Sequence, residues 1–142
     1  MIFQNRTPKF INPKDAISIT KENGTKVGYY LFDTFEIHTN VIPEMSVQDW
    51  HSHQDIEEII VVNKGSLLLE WIENEIKQRK VNCGEIIRMN NSIHRISNIE
   101  NSSAECTIFS FVAPEKDQSE VIKNDKRIYT DEEIENLLLF ET

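Results

Sequence analysis

Short runs in which apolar and polar residues alternate cover the sequence from residue 16 to residue 112. The run at 35–42 alternates between apolar and polar residues, which is typical of a strand with one buried and one exposed face. Turn-forming residues separate the runs, and Asn23-Gly24 is the strongest tight-turn signal among them. These patterns predict strands over residues 16–20, 27–32, 35–42, 58–62, 66–72, 75–81, 85–89, 94–99 and 105–112.

The spacing of these runs predicts the class of fold. Short strands at even intervals favour a β-sandwich or barrel over alternating strands and helices. Residues 114–125 are polar and charged, which indicates a surface connection. Thr130 and Glu133 then form a capping box, and the apolar residues after them fall on one helical face. We therefore predict an all-β fold with a short C-terminal helix. Its parts are N-terminal strands (1–34), a barrel core (35–112), and a surface connection with the helix (113–142).

Composition and charge narrow the function classes. A chain of 142 residues predicts one domain, and its net charge of -9 argues against nucleic acid and anionic membranes as partners. No apolar run is long enough to cross a bilayer, and the N-terminus does not resemble a signal peptide. We therefore expect a cytoplasmic protein. In that setting, Cys83 and Cys106 are expected to be reduced, buried thiols rather than a disulfide.

One cluster of residues carries chemistry. His51-Ser52-His53 is followed by Glu57-Glu58 and, after an apolar run, by Gly65; His94 is the next histidine along the chain. Histidines separated by one residue on a strand share a face, and imidazoles with a carboxylate suit a divalent transition metal such as Fe, Mn, Ni, Co or Zn. The alternative is that the two neighbouring histidines are ordinary surface residues on an edge strand.

This spacing resembles the first motif of the cupin superfamily, which has His-x-His, three or four residues, Glu, six residues and Gly. Six residues separate Glu58 from Gly65, which favours Glu58 as the metal-binding carboxylate. Glu57 fits the shorter histidine spacing but leaves seven residues before the glycine. A regular strand from His53 would place Glu57 on the histidine face, so Glu58 requires a loop or bulge at residues 54–56.

The second cupin motif is similar to residues 84–98. Gly84, His94 and Asn98 match it, but Asn90-Asn91-Ser92 replaces the family's Pro-x-Gly turn. Asparagine tolerates left-handed backbone conformations, so the turn can still form. The resemblance covers residues 35–112. It implies a single cupin barrel, a double-stranded β-helix or jelly roll, in which His51, His53, Glu58 and His94 bind the metal.

The resemblance implies a fold and a metal but leaves the reaction open. Three functions remain: a metal-dependent enzyme, a non-catalytic ligand-binding or sensing module, and a structural cupin. We favour an enzyme of the dioxygenase, isomerase or lyase type, because four metal ligands are unnecessary for binding alone. Its substrate is expected to be small and oxygen-rich or anionic, positioned by Tyr30 or Arg88; solvent exposure is the alternative for Arg88.

His38 is interpreted as an ordinary surface or core histidine. A homodimer through the N-terminal strands is expected.

Overall fold

The computed structural model describes residues 6–112 and 125–141. Most of the predicted surface connection, residues 114–124, therefore lies outside the described residues. Within them the chain forms twelve strands and one α-helix. Their bounds are β1 (Ile17–Thr20), β2 (Lys26–Leu31), β3 (Phe35–Ile42), β4 (Ser46–Val47), β5 (Trp50–Ser52), β6 (Ile56–Lys64), β7 (Ser66–Ile72), β8 (Ile76–Asn82), β9 (Ile86–Arg88), β10 (His94–Asn98), β11 (Ala104–Val112), β12 (Arg127–Tyr129) and α1 (Asp131–Glu141).

The strands form two antiparallel sheets. One has the order β1-β2-β3-β11-β6-β9, and the other has the order β12-β5-β10-β7-β8, with β4 also paired to β10. The main core cluster contains residues of both sheets, including Ile42 and Ile60 from one and Leu67 and Ile96 from the other. The core therefore lies between the sheets, and the predicted all-β barrel with a short C-terminal helix is confirmed.

Strand β6 shows how the sequence pattern positions side chains. Its alternate residues Ile56, Glu58, Ile60 and Val62 are buried, whereas the residues between them are only partly covered. Because side chains alternate between the faces of a strand, the same pattern that buries three apolar residues also carries Glu58 into the interior.

Strand β3 reverses the usual relation between polarity and burial. Its alternation was predicted from the sequence, but the inward face carries Glu36, His38 and Asn40 before the buried Ile42, while Phe35, Ile37, Thr39 and Val41 lie on the other face. Glu36 and Asn40 are 3% and 4% exposed. A buried polar row costs stability unless it is hydrogen-bonded, and here Glu36 Oε1 pairs with His38 Nε2 and the Asn40 amide donates to the His38 carbonyl.

The C-terminal helix packs on a second core cluster, which contains Trp50, Tyr129 and Ile134. The predicted capping box is confirmed: the Glu133 backbone N–H donates to Thr130 Oγ1 at 3.1 Å, and the Thr130 N–H donates to Glu133 Oε1 at 3.2 Å. This reciprocal pair satisfies two amide groups that would otherwise have no partner at the start of the helix.

Three further expectations are decided by the fold. Asn90 and Asn91 adopt positive φ angles of 52° and 58°, so they form the left-handed turn expected in place of Pro-x-Gly. No disulfide joins the two cysteines, and Cys106 is buried as expected. The prediction that Cys83 is buried is wrong, because this residue lies exposed in the turn after β8. The helix within the described residues is too short to span a membrane.

Candidate metal centre

Two of the predicted ligands are direct partners across neighbouring strands. His51 on β5 is paired with His94 on β10, and their ring centroids are 4.4 Å apart. His53 follows the end of β5, and its ring centroid lies 5.3 Å from that of His51. Pairing of β5 with β10 therefore brings the two histidine motifs into one cluster, although many residues separate them in the sequence.

The carboxylate of this cluster comes from Glu58, because the regular strand conformation is interrupted between the end of β5 and the start of β6. Residues 53–55 form an irregular connection, which changes the alternation that would otherwise have placed Glu57 on the histidine face. The Asn91 side-chain amide donates to the carbonyl oxygen of His53 at 2.8 Å and holds this connection in place. Glu58 is buried, whereas Glu57 points outward and pairs with Arg88.

These side chains converge closely. One ligand atom from each of His51, His53 and Glu58 lies within 4.8 Å of the others, so the three form a group capable of holding a metal ion. Glu58 Oε1 lies 3.3 Å from His53 Nε2 and 3.8 Å from His94 Nε2. The group thus contains three of the four predicted ligands, and the fourth, His94, lies beside it against His51 and Glu58.

Each imidazole has an oxygen atom beside its Nδ1, and in His51 and His94 the two atoms are hydrogen-bonded. His51 Nδ1 lies 3.2 Å from the carbonyl oxygen of Asp49, and His94 Nδ1 lies 2.9 Å from that of Ser92. His53 Nδ1 lies 3.3 Å from Asp125 Oδ2. This leaves Nε2 of every ring as the nitrogen available to the cluster. Histidines that bind metals typically have their second nitrogen held by a carbonyl or carboxylate oxygen in this way.

Burial and mutual charge shift the pKa values within the cluster. Burial and the neighbouring His94 lower the pKa of His51 to about 3. Burial would raise the pKa of Glu58, but its contact with His53 and the charge there outweigh burial and lower it to about 2. Burial also lowers the pKa of His94. Burial would lower the pKa of His53, but contact with the Glu58 carboxylate and its charge outweigh burial and raise it. The cluster therefore holds an ionised carboxylate beside His51 and His94, whose neutral forms are favoured, and His53 must release its proton when a metal binds.

The donor atoms themselves fit a cation. Glu58 Oε1 and His94 Nε2 are buried, and neither accepts a hydrogen bond from any residue in the described ranges. Buried polar atoms without a partner are costly, and two electron-pair donors facing each other without a hydrogen between them are best satisfied by a positive ion. Three imidazoles and one carboxylate are suitable ligands for Fe, Mn, Ni, Co or Zn.

The cluster lines a cavity of about 420 Å³ between the sheets. This volume is in the range of small-molecule sites. Most of the wall is apolar. The polar side chains belong to the histidine–Glu58 cluster, to the inward face of β3, and to Lys21, Gln48, Ser110 and Lys126. The apolar part of the wall includes Ile17, Ile19, Val27, Ile56, Ile96, Ile108 and Val112.

Solved structures share this arrangement of strands. The polyketide cyclase RemF from Streptomyces resistomycificus has a TM-score of 0.66 at 14% identity, over 89% of both chains. An Fe(II)-HppE structure has a TM-score of 0.63 at 11% identity, over 75% of this chain and 62% of that one. The capsular polysaccharide assembling protein CapF from Staphylococcus aureus has a TM-score of 0.64 at 13% identity, over 79% of this chain. All three are cupin-fold proteins.

The chain has the cupin fold. It spans 33% of the length of CapF. No family model and no curated protein sequence matches the chain. The neighbours with this fold include a polyketide cyclase and an Fe(II)-HppE, and the present chain carries a group of side chains able to hold a metal ion.

The two residues predicted to position a substrate lie outside the cupin cavity. Arg88 is exposed on β9 and forms an ion pair with Glu57 on the outer surface, so the alternative of solvent exposure holds. Tyr30 faces a separate surface depression beside Phe10, whereas its neighbour Tyr29 lines the cavity. Alternation along β2 explains this difference, because adjacent side chains point to opposite faces.

Sequence reasoning missed residues that complete the cupin site. Asp125 was included in the predicted surface connection, but its side chain is only 3% exposed and lies against His53. Its Oδ1 accepts hydrogen bonds from the backbone N–H groups of Gln54 and Asp55 at 3.1 and 2.8 Å. No local pattern marks this aspartate. Lys21 and Lys126 also line the cavity beside His51, and only the tertiary fold brings them together.

Proposed function

We propose that this cupin is a metal-dependent enzyme whose divalent transition metal is bound by His51, His53, Glu58 and His94. The observation that carries the proposal is the orientation of the three imidazoles. Each has Nδ1 beside an oxygen atom and leaves Nε2 for the cluster, where Glu58 supplies a carboxylate oxygen. A histidine cluster that served only to pack the core would not require this shared orientation.

The donor set supports catalysis because it leaves room for a substrate. Four protein ligands leave one or two positions open on a five- or six-coordinate ion. When bound, such a metal supplies a positive charge that polarises or activates an oxygen-bearing molecule. Around it, the carbonyl oxygens of Asp49 and Ser92 hold the rings of His51 and His94, and the Asp125 carboxylate lies beside the ring of His53.

Two features of the cavity support a substrate with an anionic oxygen at one end and an apolar body. Lys21 and Lys126 lie beside His51 in a protein whose net charge is -9, so they supply local positive charge to attract an anion. Burial and the charge of Lys126 lower the pKa of Lys21, which is consistent with the two ammonium groups being close together. The remaining wall is mainly apolar and excludes water from the body of the molecule.

The proposed reaction is of the dioxygenase, isomerase or lyase type. These types share one requirement, that an oxygen-bearing substrate is bound at an open metal position, and the largely apolar cavity beside the proposed ligands is compatible with it. The similarity of the fold to RemF and Fe(II)-HppE is compatible with this range of chemistry.

Two neighbouring glutamates provide a matched test of the metal site. Glu58→Gln removes the carboxylate at the centre of the cluster, whereas Glu57→Gln makes the same change on the outer surface one residue away. We expect the purified wild-type and Glu57→Gln proteins to retain Fe, Mn, Ni, Co or Zn, measured by elemental analysis, and Glu58→Gln to lose it. Equal metal content in all three proteins would contradict the proposed site.

Catalysis is tested with the same variants. The metal-loaded proteins are incubated in air with a panel of aromatic and aliphatic carboxylic acids, and the products are followed by mass spectrometry. Conversion by the wild type and Glu57→Gln, but not by Glu58→Gln, is expected. Metal-dependent binding of a panel member without conversion of any member would favour the non-catalytic binding module instead.

A further inference from the structure

A second polar pair lies in the same cavity, on the inward face of β3. His38 Nε2 lies 2.8 Å from Glu36 Oε1, and both side chains line the cavity. Glu36 is 3% exposed, and its other oxygen, Oε2, is buried without a hydrogen-bond partner among the described residues. A carboxylate buried to this extent on a strand that would otherwise pack apolar residues inward requires an explanation.

The geometry of the pair assigns a role to each nitrogen of His38. With Glu36 as the acceptor, Nε2 donates the hydrogen bond, and a neutral ring in this tautomer carries its lone pair on Nδ1. Within residues 6–112 and 125–141, no hydrogen-bond partner of His38 Nδ1 is present. The ring of Tyr29 lies against that of His38 with centroids 4.6 Å apart and fixes its orientation. His38 therefore presents a held imidazole with an available base nitrogen.

The sheet register fixes where this pair lies relative to the metal centre. Glu36 is the cross-strand partner of Ser110, and Ser110 is the partner of Glu58. The two glutamates thus occupy one row across β3, β11 and β6, with Cα atoms about 10 Å apart given the usual spacing of strands. Ser110 and Ile108 line the cavity between them. A small side chain in the middle of the row leaves space for a ring-sized molecule that reaches both ends.

We propose that Glu36 and His38 form the second catalytic end of this cavity, with His38 Nδ1 as the group that accepts a proton from a substrate hydroxyl. This inference rests on the proposed function, because the substrate's anionic oxygen lies at the metal centre. The hydroxyl O–H bond breaks, its proton forms a bond with Nδ1, and the electron pair stays on the oxygen. The imidazolium is stabilised by Glu36, and the same proton returns to the product.

The tautomer of His38 is the first test, and it does not depend on turnover. In nitrogen-15 NMR spectra of the Zn²⁺-loaded protein, a His38→Gln variant identifies the resonances of this ring. We expect a neutral ring protonated at Nε2 and unprotonated at Nδ1. The opposite tautomer would overturn the proposal, because Nδ1 would then have no lone pair to accept a proton. If the protein binds no Zn²⁺, the same measurement on the metal-free protein tests the tautomer of His38.

Binding of matched probes tests whether His38 reaches a ligand. Benzoate supplies the anionic oxygen and the ring, and 3- and 4-hydroxybenzoate add a hydroxyl at two positions. We expect one hydroxybenzoate to bind the Zn²⁺-loaded protein about two- to tenfold more tightly than benzoate, which is the usual effect of one hydrogen bond. In His38→Phe, which keeps a ring of similar size, this advantage disappears while benzoate itself still binds.

The two proposals fail in different ways. Loss of benzoate binding in Glu58→Gln, with both proteins folded, supports the metal centre, and unchanged binding contradicts it. An equal affinity of the wild type for benzoate and both hydroxybenzoates overturns the role of His38, even where the metal centre is intact. A hydroxyl advantage that persists in His38→Phe also overturns it. A purely structural Glu36–His38 pair would give no such dependence on the hydroxyl.

Discussion

His51 and His94 are direct cross-strand partners, with ring centroids 4.4 Å apart and Nδ1 atoms held by the carbonyl oxygens of Asp49 and Ser92. This single pairing joins two motifs that lie far apart in the sequence. Because backbone carbonyl oxygens bind Nδ1 of both rings, their Nε2 atoms are directed at the cavity in the absence of a ligand. Such preorganisation is what a metal site requires, since little ordering then remains to be done on binding.

Asp125 is predicted to control metal affinity although it is not a ligand. Its carboxylate lies behind His53 and also accepts two backbone hydrogen bonds from the connection before β6. Asp125→Asn keeps the shape but removes the charge that orients the ring, so we expect metal affinity to fall about 10- to 100-fold. A competition titration with a chelating dye measures this. Asp49→Asn is the control, because Asp49 contacts His51 through its backbone carbonyl; an equal loss in both variants would contradict the role of Asp125.

Asn98 is predicted to contribute strongly to stability. It is fully buried, its side-chain amide donates to the carbonyls of Ile42 and Ser102, and its oxygen accepts from the Glu100 N–H. Asn98→Ala leaves these buried groups without partners, so the free energy of unfolding should fall by about 2–4 kcal/mol. Urea denaturation measures the change. The exposed Asn101, replaced by Ala, serves as the control; equal stability of the two variants would contradict this account.

The two cysteines should differ in reactivity. Cys83 is exposed, whereas Cys106 is 2% exposed within the main core cluster, and burial raises its pKa to about 12. Reaction requires an accessible thiolate, so only Cys83 should react rapidly with a disulfide reagent in the native protein. The absorbance of the thiol released from the reagent should correspond to one rapidly reacting cysteine in the folded wild type and to none in Cys83→Ala. A second fast thiol in the folded wild type would show that the core opens readily.

The same burial of Cys106 predicts a pH dependence of stability. Its pKa rises from the ordinary 9.0 to about 12 in the folded protein, so above pH 9 the unfolded chain loses this proton first. The folded state then binds more protons than the unfolded state, and stability falls as pH rises from 9 toward 12, by up to about 1.4 kcal/mol per pH unit. Urea denaturation at a series of alkaline pH values should show a steeper fall for the wild type than for Cys106→Ala. Parallel curves would contradict this prediction.

The sequence predicted much of the fold because the strongest patterns are local. Alternation, tight turns and the Thr130–Glu133 capping box each depend on neighbouring residues, and the structure confirms them. The short strands β4, β5 and β12 were not predicted, since two or three residues show no periodicity. Their partners are distant in the sequence, so only the completed sheet defines them.

The site was predictable only where a motif marked it. The spacing to Gly65 indicated Glu58, and the structure places it among the histidines. Asp125 was not identified, because it lies in a connection that only the tertiary fold brings against His53. Glu36 and His38 were not predicted to line a cavity, because that depends on which face of β3 points inward. On β3 the polar face points inward, against the usual expectation for alternating residues. Local rules fail at this position because the interior there is a cavity rather than a packed core.

The most direct test of the account is the metal content of the wild type beside a His51→Ala/His94→Ala variant, after both are loaded with Fe, Mn, Ni, Co or Zn and desalted. The structure places these two rings as cross-strand partners at the cluster, so their removal leaves too few ligands for tight binding. Near-stoichiometric metal in the wild type and its loss in the folded variant is the predicted result. A wild-type protein that takes up none of these metals would contradict the metal centre.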